Sequence, residues 1–209
     1  VNFGKDVVNT GLEFEQGMAN VSAISGATGT ELTLLSEKAK EMGATTKFSA
    51  LEASDAMSYM AMAGWNSSQM IDGIAGIMNL AAASGEELAS VSDIVTDSLT
   101  AFGLKTSDSA DFADILAIAC AKSNTNVSLL GEAFKNVAPT AGAMGYSVRD
   151  TTVALGLMAN AGIKGSVAGT SLNGVMTRLA KPTKEVNTAM NALGLSAVNA
   201  DGSMKPLSQ

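Results

Sequence analysis

Two segments of this 209-residue chain lie over one another without a gap. Phe48-Ser-Ala-Leu-Glu-Ala-Ser-Asp-Ala-Met-Ser-Tyr-Met-Ala-Met-Ala-Gly-Trp65 aligns with Tyr146-Ser-Val-Arg-Asp-Thr-Thr-Val-Ala-Leu-Gly-Leu-Met-Ala-Asn-Ala-Gly-Ile163 at a constant offset of 98 residues. Both begin aromatic-Ser, place an acid three residues after that Ser, and end Met-Ala-x-Ala-Gly. Gly76 and Met78 continue the match at Gly174 and Met176, and Leu99-Thr-Ala-Phe-Gly-Leu104 resembles Met190-Asn-Ala-Leu-Gly-Leu195 at a slightly shorter offset. An ordered series of this kind reads as a duplication, so a fold for one half must also serve the other.

Within each half the pattern is cap, helix, Ala-Gly stop, helix, x-Gly-Leu stop. A glycine just past a helix end takes the left-handed conformation, and the next residue turns an apolar side chain back onto the last turn. Gly64, Gly103, Gly162 and Gly194 fit that role as structural helix stops, with Trp65, Leu104, Ile163 and Leu195 following them. The expected contacts are Met60, Leu99, Met158 and Met190, all apolar. Ser49…Glu52 and Ser84…Glu87 have the spacing of a capping box, Ser147…Asp150 is a close variant, and Asn126 and Thr183 are further caps. Between caps, apolar residues recur at helical spacing: Leu88, Val91, Val95, Leu99, Phe102 in one stretch and Val127, Leu130, Phe134, Val137 in another. No stretch alternates as a half-buried strand does. The expectation is an all-α fold, about ten helices in a duplicated helix–turn–helix arrangement, forming a compact bundle with a longer N-terminal helix.

That first helix, about residues 5–25, carries Val7, Phe14 and Val21 every seven residues, a weak coiled-coil seam. The expected organisation is therefore an N-terminal helix over 1–28, extensible as a coiled coil. A duplicated core follows over 29–195, with halves at about 48–104 and 146–195, and then a truncated segment over 196–209. The ends read as cuts from a longer protein.

Composition removes most chemistry. There is no histidine, which excludes His-based triads and His-ligated metals, and the single Cys120 excludes an intrachain disulfide. Cys120 reads as an inert buried thiol. The carboxylate pairs Asp93/Asp97 and Asp111/Asp114 stand one turn apart and read as solvated helix faces. Gly73-Ile-Ala-Gly76 and Gly162-Ile-Lys-Gly165 lack the strand context and spacing of nucleotide loops. The net charge of −7 argues against nucleic-acid binding by this segment. Expected are no catalytic residue, no metal and no cofactor. Trp65, the only tryptophan, is a helix-end staple and the one candidate assembly contact.

Several phrases resemble the core of phage tail tape-measure proteins: Ala39-Lys-Glu-Met-Gly-Ala-Thr-Thr-Lys-Phe-Ser-Ala50, Met60-Ala-Met-Ala-Gly-Trp65, Ile77-Met-Asn-Leu-Ala-Ala-Ala-Ser84, Ser123-Asn-Thr-Asn126, Ala138-Pro-Thr-Ala-Gly142 and Met158-Ala-Asn-Ala-Gly-Ile-Lys-Gly165. The resemblance runs in order along nearly the whole chain. It implies a structural, non-enzymatic virion or prophage protein in the tail lumen, made in the bacterial cytoplasm. Its implied roles are tail assembly, tail-length determination and DNA delivery. Implied partners are tube, tail-tip and assembly-chaperone proteins and further copies of itself, with membrane contact confined to infection. The residues leave two other classes open: a membrane-inserting or pore-forming helical module, and a peptidoglycan-degrading module.

Overall fold

The computed structural model describes residues 3–207, with side chains from Asn9 onward. Among these residues there are ten α-helices and no strand. The helices are α1 (Phe3–Ser25), α2 (Thr30–Thr45), α3 (Ala50–Met62), α4 (Ser67–Ser84), α5 (Leu88–Phe102), α6 (Ser109–Lys122), α7 (Val127–Ala143), α8 (Val148–Asn160), α9 (Gly165–Ala180) and α10 (Lys184–Ala192). A single 3-10 turn, Thr106–Asp108, precedes α6. The α3–α4 and α8–α9 pairs share their helix boundaries: α3 and α8 start and end, and α4 and α9 start, 98 residues apart.

The chain forms two units. Unit 1 comprises the residues up to Asp97 with Lys105–Asp114; unit 2 comprises Ser98–Leu104 with the residues from Ile115 on. In unit 1, α3 packs between α1 and α2, and α4 lies against α2, α3 and the 3-10 turn. Its core is built on methionine and isoleucine: Met57, Met60, Met70, Ile74, Ile77 and Met78 are all fully buried. Unbranched methionines fill irregular gaps between helices of small residues, where large rings do not fit. In unit 2, α7 packs mainly on α9, and α8 touches both. Phe102 meets Phe134 edge-on there, ring centres 5.5 Å apart.

Helix starts follow the caps, with one exception. Ser49 and Glu52 form the full reciprocal box, and Asn126, Ser147 and Thr183 each accept a backbone N–H three residues on. Ser84 does not cap. It is the last residue of α4, Gly85 follows in the left-handed region at φ 72°, and the next helix starts only at Leu88. The glycine there makes Ser84-Gly85 a helix end, which overrides the Ser-x-x-Glu spacing. The sequence reading also missed a box, Asn66 with Gln69, in which an amide replaces the acid. Replacing Ser49 by alanine is therefore expected to cost about 1 kcal/mol in urea unfolding. The same change at Ser84 should stay within about 0.5 kcal/mol; equal losses would remove the cap assignment.

The four stops share one geometry. Gly64, Gly103, Gly162 and Gly194 have φ of 84°, 70°, 88° and 67°. The N–H of each following residue reaches the carbonyl five residues back: Trp65 to Met60, Leu104 to Leu99, Ile163 to Met158, Leu195 to Met190, at 2.9–3.0 Å. Gly145, which the sequence reading passed over, makes a fifth, with Tyr146 bonded to Ala141 at 2.9 Å. The apolar half of the motif is uneven. Trp65 is buried, but Leu104, Ile163 and Leu195 are 37 %, 41 % and 57 % exposed. Backbone hydrogen bonding defines these ends, and side-chain packing adds to it chiefly at Trp65 and Tyr146, both buried.

On α1, Met18 and Val21 are buried and Phe14 is half-buried, on the side that packs against α3. The Val7 position of the proposed seam lies outside the described side chains.

Candidate functional site

The residues that most often carry chemistry are spread out. Asp93, Asp97, Asp111 and Asp114 all face solvent, and no group of acids and cysteine is placed to hold a metal among the described residues. Cys120 is half-buried, more open than expected. Trp65, the candidate assembly contact, is 5 % exposed. A Cβ on Gly73 of α4 would overlap its ring, so the absent side chain on α4 makes its berth. No described helix is long and apolar enough to cross a membrane.

What the structure does bring together is a groove in each unit, at equivalent places. In unit 2 the groove lies between α6 and α8, with a volume of about 320 Å³. Its walls are Ile115 and Ile118 on α6 and Val153 and Leu157 on α8; Ile118, Val153 and Leu157 are more than half exposed. Thr152 also lines it, buried, with its hydroxyl lacking a hydrogen-bond partner among the described residues. Lys122 and Arg149 are the groove's cations. The Asn124 N–H donates to the Asn160 side chain at 2.7 Å, which sets Lys122 at the far end of α8. Arg149 is eleven residues earlier on α8, about 16 Å away along a helix.

In unit 1 the groove lies between α1 and α3, with a volume of about 420 Å³. It is lined by Asn20, Ile24, Asp55, Tyr59 and Met62, among others. Shifted by 98 residues, these five are Ile118, Lys122, Val153, Leu157 and Asn160 of the unit 2 groove. The grooves are one feature of the duplicated fold with changed side chains. The helix approach that bounds each differs. In unit 1 a Cβ on Gly17 of α1 would overlap the Ser54 hydroxyl of α3; in unit 2 the glycine is Gly156 of α8, against Ser123. Desolvation, with the charge of Glu52 beside it, holds the Asp55 carboxyl above the usual carboxylate range.

The charge on the two units is opposite. Unit 1 contains 16 acidic and five basic residues, unit 2 four acidic and eight basic, giving −11 and +4. The whole-chain value of −7 averages over this division, and so did the expectation drawn from it.

Residues 36–209 match the family model of phage-related minor tail proteins. The chain belongs to that family. This tail protein is 42 % identical to the tape measure protein of Pneumococcus phage Dp-1 over 207 residues, which is 99 % of this chain and 18 % of that one. It is 26 % identical to a probable tape measure protein of Escherichia phage P2 over 206 residues, 98 % of this chain and 25 % of that one. The chain thus spans a quarter or less of the length of these relatives. No solved structure matches it. The resemblance read from the sequence agrees with this family.

The grooves escaped the sequence reading for a definite reason. Ile118, Val153 and Leu157 stand in helical stretches with no local mark of their own, and spacing along one helix does not say which face a second helix covers. The 98-residue offset was the signal that could have paired the two groove linings.

Proposed function

We propose that this chain is a folded core of a tape-measure protein, lying in the tail lumen after synthesis in the bacterial cytoplasm. It acts in tail assembly and DNA delivery by packing against other proteins rather than by catalysis. Its partners are tube, tail-tip and assembly-chaperone proteins and further copies of itself. Tail length is set by the full-length protein, and the measuring falls to segments other than this one. The observation that carries this division of labour is the density of helix stops. The longest helix among the described residues has 23 residues, about 35 Å of rise, whereas 209 residues in one helix would span roughly 310 Å. A ruler works by its extended length, and a chain whose helices end at Gly64, Gly103, Gly145, Gly162 and Gly194 gives that length up.

The test is an in-frame deletion of α3–α9 in the phage genome, with tails imaged by electron microscopy. The expected result is failure of assembly or of DNA delivery. Normal infectious tails, shortened in proportion to the residues removed, would show that this segment measures length after all.

A further inference from the structure

The two equivalent grooves carry opposite charge in a protein read above as associating with its own copies. From this we propose that the unit 1 groove of one copy docks on the unit 2 groove of a second copy. The occupant of each groove is then the wall of the other. The α3 ridge that carries Asp55, Tyr59 and Met62 enters between α6 and α8 of the second copy. The α8 ridge with Val153 and Leu157 enters between α1 and α3 of the first.

Three observations converge on this occupant. Five residues lining the unit 1 groove map onto the unit 2 lining at the 98-residue offset, so each groove presents a helix wall at the same register as the other. Packing a ridge of one helix into the groove between two others is the ordinary way helices associate. The apolar content is matched: Ile118, Val153 and Leu157 on one side meet Ile24, Tyr59 and Met62 on the other, and Ile24 and Met62 are 44 % and 59 % exposed. The charges are complementary, Lys122 and Arg149 in a unit of +4 against Asp55 in a unit of −11. Complementary potentials select the unlike groove, and like charges disfavour unit 1 pairing with unit 1. The interface is heterologous, so successive copies close a ring or continue as a chain.

This inference rests on the self-association reading alone, and it is tested in solution, apart from the phage deletion that tests the tail role. Sedimentation velocity of the 209-residue chain over a concentration series should show association that weakens with added salt. The Lys122→Glu/Arg149→Glu protein and the Asp55→Lys protein should each lose roughly tenfold in self-affinity. An equimolar mixture of the two should regain much of it, which a misfolded variant could not do. In a second measurement, Asp55→Cys and Arg149→Cys are prepared separately, both with Cys120→Ser. The mixture should give a disulfide-linked dimer in higher yield than either alone. A chain monomeric at every concentration overturns the proposal. So does association indifferent to salt and to these charges, or a mixture that neither regains affinity nor cross-links above the single variants. Binding of duplex DNA or anionic vesicles at Lys122 and Arg149, with no pairing of copies, would assign the groove elsewhere and overturn it equally.

Discussion

Gly169→Ala should lower stability by about 3 kcal/mol, although it adds one methyl group to a good helix former's position. Gly169 lies in α9 where that helix crosses α7. A Cβ there would collide with the Ala133 carbonyl oxygen and come within 2.8 Å of the Ala133 Cα. The obstacle is backbone, which cannot rotate aside as a side chain can, so α7 and α9 must separate. The α7–α9 contact is the most extensive helix pairing in unit 2, and separating it exposes Leu130, Phe134, Leu172 and Met176, all buried. For a unit of about this size the loss corresponds to a drop in melting temperature of roughly 10–20 °C. Gly174, five residues on in the same helix, supplies the control, because a Cβ there meets nothing within 4 Å. Gly174→Ala should raise stability by about 0.5–1 kcal/mol through helix propensity alone. Thermal and urea unfolding followed by circular dichroism measure both. Two alanines with the same sign of effect would show that α9 does not depend on close approach at Gly169.

Gly162→Val should cost about 2 kcal/mol for a different reason. A Cβ at Gly162 also meets nothing within 4 Å, so the space is open. The backbone, however, sits at φ 88°, where L-residues pay roughly 1–2 kcal/mol and a β-branched residue pays more. Escape from that conformation would break the Ile163-to-Met158 and Gly162-to-Ala159 hydrogen bonds that end α8. Asparagine visits the left-handed region more readily, so Gly162→Asn should recover about half of the loss. Valine at Gly174, in right-handed helix, should be close to neutral. If Gly162→Val and Gly174→Val shift the urea midpoint equally, the stop does not depend on handedness.

These two glycines mark the line between what was legible in the sequence and what was not. Gly162 declared itself locally: Ala before it, an apolar residue after it, an apolar residue four back, and a twin at Gly64. The hydrogen bonds that stabilise a helix end span about six residues, so a window of sequence contains all the participants. The same holds for the Ser49 box and for the equal helix boundaries of the two halves. Ser84 shows the limit of local reading, since two local signals competed and the glycine prevailed.

Gly169 and the grooves depended on partners far along the chain. Gly169 is explained by Ala133 and Gly17 by Ser54, and neither sequence neighbourhood names its partner. Trp65 reads from the sequence as a helix-end staple, with an assembly contact as the alternative, but that Gly73 of α4 makes room for its ring is visible only in the fold. The sequence by itself determined the helical class, the 98-residue repeat, most of the helix ends and the tail-protein resemblance, because each is written in residues close together or in a repeat of fixed offset. Tertiary structure alone decided which apolar faces are covered and which line open grooves. The division of charge, by contrast, was already in the sequence, −11 over residues 1–114 and +4 over residues 115–209, and the whole-chain value hid it. Burial and electrostatic potential depend on distance in space, and packing brings together residues that the chain keeps apart.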